Sequence, residues 1–206
     1  MRKGTLFLGL LATVAPAAQQ AGATYESADW KADIAAGRVP YRRVTLDDYP
    51  IRDADHPDTG MYTEGFVAVT YKAAWDEHRI PAQAWVTSWT VRSGLNKNRT
   101  SRRSWFTDMD KMLPHEQGHL DINEIYARAL AKRGLADLPE GQGRTGPDAM
   151  KDLDRKLGQM VDTILAGNRA EQLRYDKETV SGTDPDKQAQ WSRSIQDRLT
   201  KAGISR

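Results

Sequence analysis

The sequence predicts an α+β fold, in which a small N-terminal antiparallel β layer packs on a C-terminal bundle of about three helices. Strand-favouring residues concentrate in the first half of the chain, where apolar and polar positions alternate as in half-buried strands. After Trp105 the apolar residues instead recur at helical spacing. Because strand-like and helix-like segments are segregated along the chain, the pattern favours the α+β class.

The β layer is predicted from three segments. Residues 41–46 match a short strand, and residues 61–72 are rich in β-favouring side chains such as Phe66 and Tyr71. Side chains in residues 82–92 should point alternately to the two faces of a strand, so every second residue should lie on the same face. One such set is Trp85, Thr87, Trp89 and Val91.

The helical part is predicted as three segments. Residues 107–133 form the first helix, which ends before Gly134; Pro114 should kink or restart it, because proline removes a backbone hydrogen bond. The second helix runs from residue 147 or 148 to about residue 173, along an apolar stripe. The third covers residues 186–201. Its apolar face consists of Trp191, Ile195 and Leu199.

The first 23 residues have the pattern of a secretory signal peptide. A basic start at Arg2 and Lys3 precedes a short apolar run, and the small residues up to Ala23 form an A-x-A cleavage site. The apolar run is shorter than the roughly 20 residues that a resident membrane helix needs. We therefore expect one exported domain over residues 24–206, periplasmic or secreted, with no resident membrane span.

Composition narrows the possible partners and cofactors. The formal net charge is +2, and it falls to zero when Arg2 and Lys3 are removed, so nothing in the charge favours a nucleic-acid partner. No feature of the sequence indicates an oligomeric state. The chain has no cysteine, which excludes disulfides, thiol catalysis and thiolate metal ligands. Any zinc ion would be held by His, Asp or Glu.

The motif H-E-x-x-H at residues 115–119 is the strongest chemical signal. On a helix, His115 and His119 lie one turn apart on the same face, which suits two ligands of a tetrahedral Zn²⁺. Glu116 is then placed to reach a zinc-activated water as the catalytic base. The motif predicts a zincin-like active helix and a metallopeptidase reaction on a peptide or protein substrate.

Longer stretches around this motif resemble a known family. Residues 115–122, H-E-Q-G-H-L-D-I, match its H-E-Q-G-H-x-D-I signature, and residues 175–182, Y-D-K-E-T-V-S-G, match a second segment that is followed by Gln188 and Trp191. A tryptophan-containing strand at residues 85–91 is also similar. The family consists of bacterial secreted proteins of unassigned function that are predicted to be zinc-dependent proteases, and the resemblance implies that activity here.

The third zinc ligand is where this chain departs from that family. The family has a histidine before the glycine of the second segment, whereas this chain has Ser181. Glu178 lies three residues earlier and would face the same side of a continuing helical turn, so it is the predicted third ligand, with Asp184 as the alternative. Ser181 also favours a second hypothesis, a non-catalytic envelope binding protein of the same fold with a degraded metal site.

Overall fold

The predicted α+β arrangement is confirmed by a computed structural model, which describes residues 25–26, 37–54 and 60–204. The predicted signal peptide and its cleavage site lie outside these residues. The strands are β1 (Tyr25–Glu26), β2 (Arg38–Pro40), β3 (Met61–Tyr62), β4 (Gly65–Asp76), β5 (Ala82–Asn96), β6 (Ser101–Arg102) and β7 (Gly141–Gly143). The helices are α1 (Met109–Ala131), α2 (Gly146–Thr179) and α3 (Pro185–Lys201), and two short 3₁₀ turns cover Leu46–Asp48 and Leu135–Asp137.

The main sheet is antiparallel and is built around the long β4–β5 hairpin. Its strand order is β1-β4-β5-β2, and β7 also pairs with β5. A second, two-stranded sheet joins β3 to β6. The predicted strand at residues 61–72 is thus divided between two sheets, and the predicted strand at 82–92 extends to residue 96.

A β-bulge in β5 overturns the prediction of a single continuous face on this strand. Ala73 pairs with Val86 whereas Lys72 pairs with Ser88, so Thr87 is the extra residue. An inserted residue reverses the alternation of side chains beyond it. Trp89 therefore packs into the core, while Trp85, on the other side of the bulge, faces away from it. Before the bulge the core-facing residues are Ala82, Ala84 and Val86.

The predicted strand at residues 41–46 is also wrong. The chain leaves β2 after Pro40, crosses α1, and enters the 3₁₀ turn at Leu46–Asp48. At the crossing, the backbone N–H of Val44 donates to Gln117 Oε1 at 2.7 Å. A side chain of α1 therefore satisfies a backbone group that a neighbouring strand would otherwise bond.

The three predicted helices are present, with two differences. The helical hydrogen-bonding pattern of α1 continues across Pro114 without a restart. Pro114 lies in the second turn, where the carbonyl that loses its partner belongs to the exposed Asp110, and solvent can satisfy it. α2 continues six residues beyond the predicted end at 173. The prediction stops short because the contact face of the helix changes from apolar to polar there.

The middle of α1 is buried between the sheet and α3. On one side α1 and α2 pack on β4 through Val67, Ala127, Leu130, Val161 and Leu165. On the other side α3 covers α1 and the end of α2 through the predicted face of Trp191, Ile195 and Leu199, which meets Ile122 and Tyr175. None of the helices among the described residues is long and apolar enough to cross a membrane.

A buried carboxylate anchors the segment that crosses α1. Asp48 is 1% exposed, and it accepts hydrogen bonds from Arg42 at 2.5 and 2.8 Å and from the backbone N–H of Thr45 at 3.0 Å. Lys97 Nζ lies 3.1 Å from the same carboxylate. Burial alone would raise the pKa of Asp48, but these partners outweigh it and lower the pKa to about 2.

We expect Asp48→Asn to lower the free energy of unfolding near pH 7 by about 1–2 kcal/mol, allowing for the partly exposed cations. Because the folded-state pKa of Asp48 is depressed, this contribution is complete above about pH 4 and is lost as the pH falls towards about 2. Urea unfolding at several pH values would measure it. The difference between wild type and variant should shrink at low pH, whereas the exposed Asp162→Asn should give no such difference.

Candidate metal centre

Two histidines of α1 face α2 at the point where the helices meet. His115 is 2% exposed and His119 is partly buried, and their Nε2 atoms lie 3.2 Å apart. The imidazole planes are nearly perpendicular, with centroids 4.8 Å apart. The structure thus places the two predicted ligands on one face of one helix, with a ring nitrogen of each directed at the same space.

The carboxylate that completes this cluster comes from Asp176 of α2. Its Oδ1 lies 3.2 Å from His115 Nε2 and 3.0 Å from His119 Nε2. Among the described residues, these three form the group whose ligand atoms lie close enough together to hold a metal ion. Asp176 is 42% exposed, so the cluster opens to solvent on its side.

The two carboxylates named from the sequence as third ligands are engaged elsewhere. Glu178 Oε2 accepts a hydrogen bond of 2.9 Å from Trp191 Nε1. Asp184 caps α3, accepting from the backbone N–H groups of Asp186 and Lys187. The structure therefore brings Asp176, and neither Glu178 nor Asp184, to the histidine pair.

The extension of α2 explains why the sequence pattern does not point to Asp176. The expectation that α2 ends near residue 173 left residue 176 outside the helix, so its face was undefined. In the structure, one face of the last two turns of α2 points at α1, and its residues have the spacing i, i+3, i+4 and i+7. These residues are Gln172, Tyr175, Asp176 and Thr179. That polar periodicity was the available signal.

Ser181 lies outside the cluster, in the loop between α2 and α3. Three consecutive residues, Val180, Ser181 and Gly182, have φ values of 50°, 51° and 83°. This left-handed run ends α2 and turns the chain towards α3. Ser181 is exposed, and its backbone N–H donates to the carbonyl of Asp176 at 2.7 Å.

Each imidazole also has a glutamine partner at its other nitrogen. Gln172 Oε1, from α2, lies 2.5 Å from His119 Nδ1. Gln188 Oε1, from α3, lies 3.1 Å from His115 Nδ1, and Thr179 Oγ1 lies 3.4 Å from the same atom. All three helices therefore contribute side chains to the surroundings of the two rings.

Glu116 is buried, and its carboxylate accepts no hydrogen bond from any of the described residues. Three tyrosines lie within range of its charge. They are Tyr49, Tyr62 and Tyr175. Burial raises the pKa of each hydroxyl group, and the charge of Glu116 raises it further, to about 12 for Tyr62. The Glu116 oxygens are not among the fully buried atoms that lack a partner, so a polar group from outside the protein can reach them.

The electrostatics of the cluster favour the charged forms of His119 and Asp176. Burial alone would lower the pKa of His119, but the hydrogen bond and charge of Asp176, with the charge of Glu116, raise it to about 9. Burial would raise the pKa of Asp176, yet its contacts with both histidines hold that pKa well below its usual range. Each shift stabilises the charged form of the group concerned.

Two glycines allow the close approach that this cluster requires. A Cβ on Gly118 would lie 2.3 Å from the hydroxyl oxygen of Tyr175, whose ring stacks on His115 with centroids 4.6 Å apart. A Cβ on Gly182 would lie 2.8 Å from His115 Cβ. The glycine inside the H-E-Q-G-H motif thus lets α2 approach α1.

We expect Gly118→Ala to lower the free energy of unfolding by about 1–3 kcal/mol, because the added methyl group overlaps Tyr175. Gly158→Ala in α2 is the matched control, since a Cβ there meets nothing within 4 Å. That change should stabilise the protein by about 0.5–1 kcal/mol through helix propensity. Urea unfolding of both variants gives the comparison, and equal signs would contradict the role assigned to Gly118.

Comparison with known proteins identifies the family of the chain. The profile of a family described as "Bacterial protein of unknown function (DUF922)" matches residues 57–183, which include His115, Glu116, His119 and Asp176. No curated protein and no solved structure matches the chain. The description of the family names no activity, so the protease function implied by the resemblance stays a prediction. Since the match covers more than half of the sequence, the chain belongs to DUF922, a bacterial family of unknown function.

Proposed function

We propose that this protein is a zinc-dependent metallopeptidase, and that His115, His119 and Asp176 hold the metal. The observation that carries the proposal is the convergence of three ligand atoms, the Nε2 atoms of both histidines and Oδ1 of Asp176. Two imidazoles and one carboxylate are the donor set of several catalytic zinc sites, which keep a fourth position open.

The spacing of these atoms suits zinc. Nitrogen and oxygen ligands at roughly 2.0–2.1 Å from zinc, arranged as a tetrahedron, lie about 3.3 Å from one another. The three separations here are 3.0, 3.2 and 3.2 Å. The side chains therefore need to move apart only slightly to accept the ion. The partial exposure of Asp176 leaves a route by which metal and substrate can reach the cluster.

Glu116 would act as the general base. Zinc supplies Lewis-acid chemistry when bound: it polarises a carbonyl and makes water acidic enough to lose a proton near neutral pH. Glu116 follows the first histidine, is buried, and accepts no hydrogen bond from the described residues. Its carboxylate would take the proton of the attacking water and deliver it to the leaving amine.

With the structure in hand, the serine at position 181 is weaker support for the hypothesis of a degraded metal site. The three candidate donors come from residues 115, 119 and 176, so the cluster does not need a ligand at position 181. Export, proposed from the pattern of residues 1–23, would place the substrates outside the cytoplasm, among envelope or extracellular peptides and proteins.

We expect Asp176→Asn to abolish stoichiometric zinc binding, because an amide is a poorer ligand than a carboxylate. Glu178→Gln and Asp184→Asn are matched controls, since their carboxylates bond to Trp191 and to the start of α3. Both should keep one zinc per chain. Atomic emission analysis of dialysed protein provides the measurement, and full zinc in Asp176→Asn would contradict the ligand assignment.

The histidines should behave in the same way in that measurement. His115→Ala and His119→Ala should each lose zinc, whereas His78→Ala should not, because His78 is exposed in the turn between β4 and β5. Zinc retained after both of the first two substitutions would exclude the proposed centre.

We expect Glu116→Gln to keep its zinc and to lower peptide hydrolysis by about 10²- to 10⁴-fold, the usual contribution of a general base. Turnover can be followed on a quenched-fluorescent peptide library, with zinc content measured on the same samples. Unchanged turnover in the variant would remove Glu116 from the mechanism. A zinc-loaded wild type that cleaves no member of the library would favour the binding-protein hypothesis.

A further inference from the structure

We propose that Gln172 and Gln188 are positioning residues that fix both histidines in the tautomer with hydrogen on Nδ1, so that each Nε2 lone pair faces the metal position. The inference deepens the proposed function and rests on it for its purpose, although the hydrogen on each Nδ1 can be tested without metal. Gln172 belongs to α2 and Gln188 to α3, so each ring of α1 is oriented by a different helix.

The orientation of Gln172 follows from a backbone group. One terminal atom of its amide lies 2.9 Å from the carbonyl oxygen of His119 and 3.1 Å from Asn123 Oδ1. A carbonyl oxygen can only accept, so this atom must be the NH₂ group. The other terminal atom is therefore the oxygen, and it lies against His119 Nδ1. Since an amide oxygen can only accept, Nδ1 carries the hydrogen.

The orientation of Gln188 follows from a similar series of hydrogen bonds, which includes Tyr175 as an additional residue. The hydroxyl of Tyr175 donates to the carbonyl oxygen of His115 at 3.1 Å. Its only hydrogen is thereby used, so the hydroxyl oxygen must accept the 2.7 Å hydrogen bond from Gln188. That bond turns Nε2 of Gln188 towards Tyr175 and Oε1 towards His115 Nδ1. His115 thus also carries its hydrogen on Nδ1.

In both cases the backbone carbonyl of a histidine fixes the tautomer of its own ring. With hydrogen on Nδ1, each ring turns Nε2 towards Asp176 Oδ1, and Nε2 is the atom that must be free of hydrogen when a metal binds. The partners that orient metal-bound histidines are often carboxylates, which also increase ligand basicity. Neutral amides orient the rings here without adding negative charge, so the negative charge of the proposed ligand set is that of Asp176.

Gln188 and the helix that carries it follow the stretch that the family profile matches. The match ends at residue 183, and Gln188, which also follows the second segment of the resemblance, lies in the first turns of α3. The position of α3 is held by the contacts of Trp191, Ile195 and Leu199 and by the ion pair between Arg198 and Glu171 of α2. A helix beyond the matched region therefore completes the surroundings of the candidate centre.

The tautomers can be measured by long-range ¹H–¹⁵N correlation spectra of the histidine rings in the full chain, before and after Zn²⁺ is added. We expect hydrogen on Nδ1 in both His115 and His119 under both conditions. Gln188→Ala should alter the ring signals of His115 and leave those of His119, and Gln172→Ala should do the reverse. A bare Nδ1 in wild type, or no ring-specific response, would overturn the inference whether or not the protein binds zinc.

Zinc affinity gives a second readout, measured by competition with a chromogenic chelator. Gln188→Ala should weaken binding by about 10- to 100-fold, as loss of a ligand-orienting partner usually does. Gln188→Glu keeps an acceptor at His115 Nδ1 and should bind zinc as tightly as wild type or more tightly. The exposed Gln190→Ala, on the same helix, should leave affinity unchanged.

These variants separate a positioning role from a structural one and from failure of the proposed function. If Gln188 only stabilises α3, Gln188→Glu should be as weak as Gln188→Ala, and the inference would be wrong. Equal affinity of Gln188→Ala and wild type would also overturn it, while leaving the zinc site intact. A wild type that binds no zinc but shows both Nδ1–H tautomers would refute the proposed function and support the assignment of the glutamines.

Discussion

The contact between Tyr175 of α2 and Gly118 of α1 is the constraint on which the candidate centre depends. The hydroxyl oxygen of Tyr175 occupies space that any side chain at position 118 would need, and its ring stacks on His115. The hydroxyl also donates to the carbonyl of His115. Because Asp176 is the next residue of α2, the same contact sets its carboxylate against both Nε2 atoms.

The polar groups around this contact stabilise the structure only as a set. α1 is covered by the sheet on one side and by α3 on the other, so its polar side chains are removed from water. An unpaired buried polar group costs about 1–3 kcal/mol. Asn123 Oδ1 reduces this cost by accepting hydrogen bonds from Gln172 Nε2 and Asn168 Nδ2. No described residue donates a hydrogen bond to the carboxylate of Glu116, which leaves it available for the proposed catalytic role.

The sheet packs against the helices that carry the candidate centre, and it contributes none of the ligand atoms. The bulge at Thr87 allows one side of the β4–β5 hairpin to remain core-facing along its whole length, so that α1 and α2 both pack on it. On the opposite side of α1, α3 adds Gln188 and closes the surroundings of His115. The centre is therefore an interhelical site on a β platform, and its geometry depends on how three helices pack together.

The sequence by itself determined the α+β class, the three helices, the buried face of α3, and the placement of His115, Glu116 and His119 on one helix. These features follow from local periodicity, which a single segment carries in full. The bulge at Thr87 and the identity of the carboxylate were decided by tertiary structure. Strand alternation does not reveal an extra residue until a partner strand sets the register. Asp176, rather than Glu178 or Asp184, reaches the histidines because α2 remains helical to Thr179 while packed on α1. The face of α2 that packs there is polar, so no apolar stripe in the sequence predicts this last part of the helix.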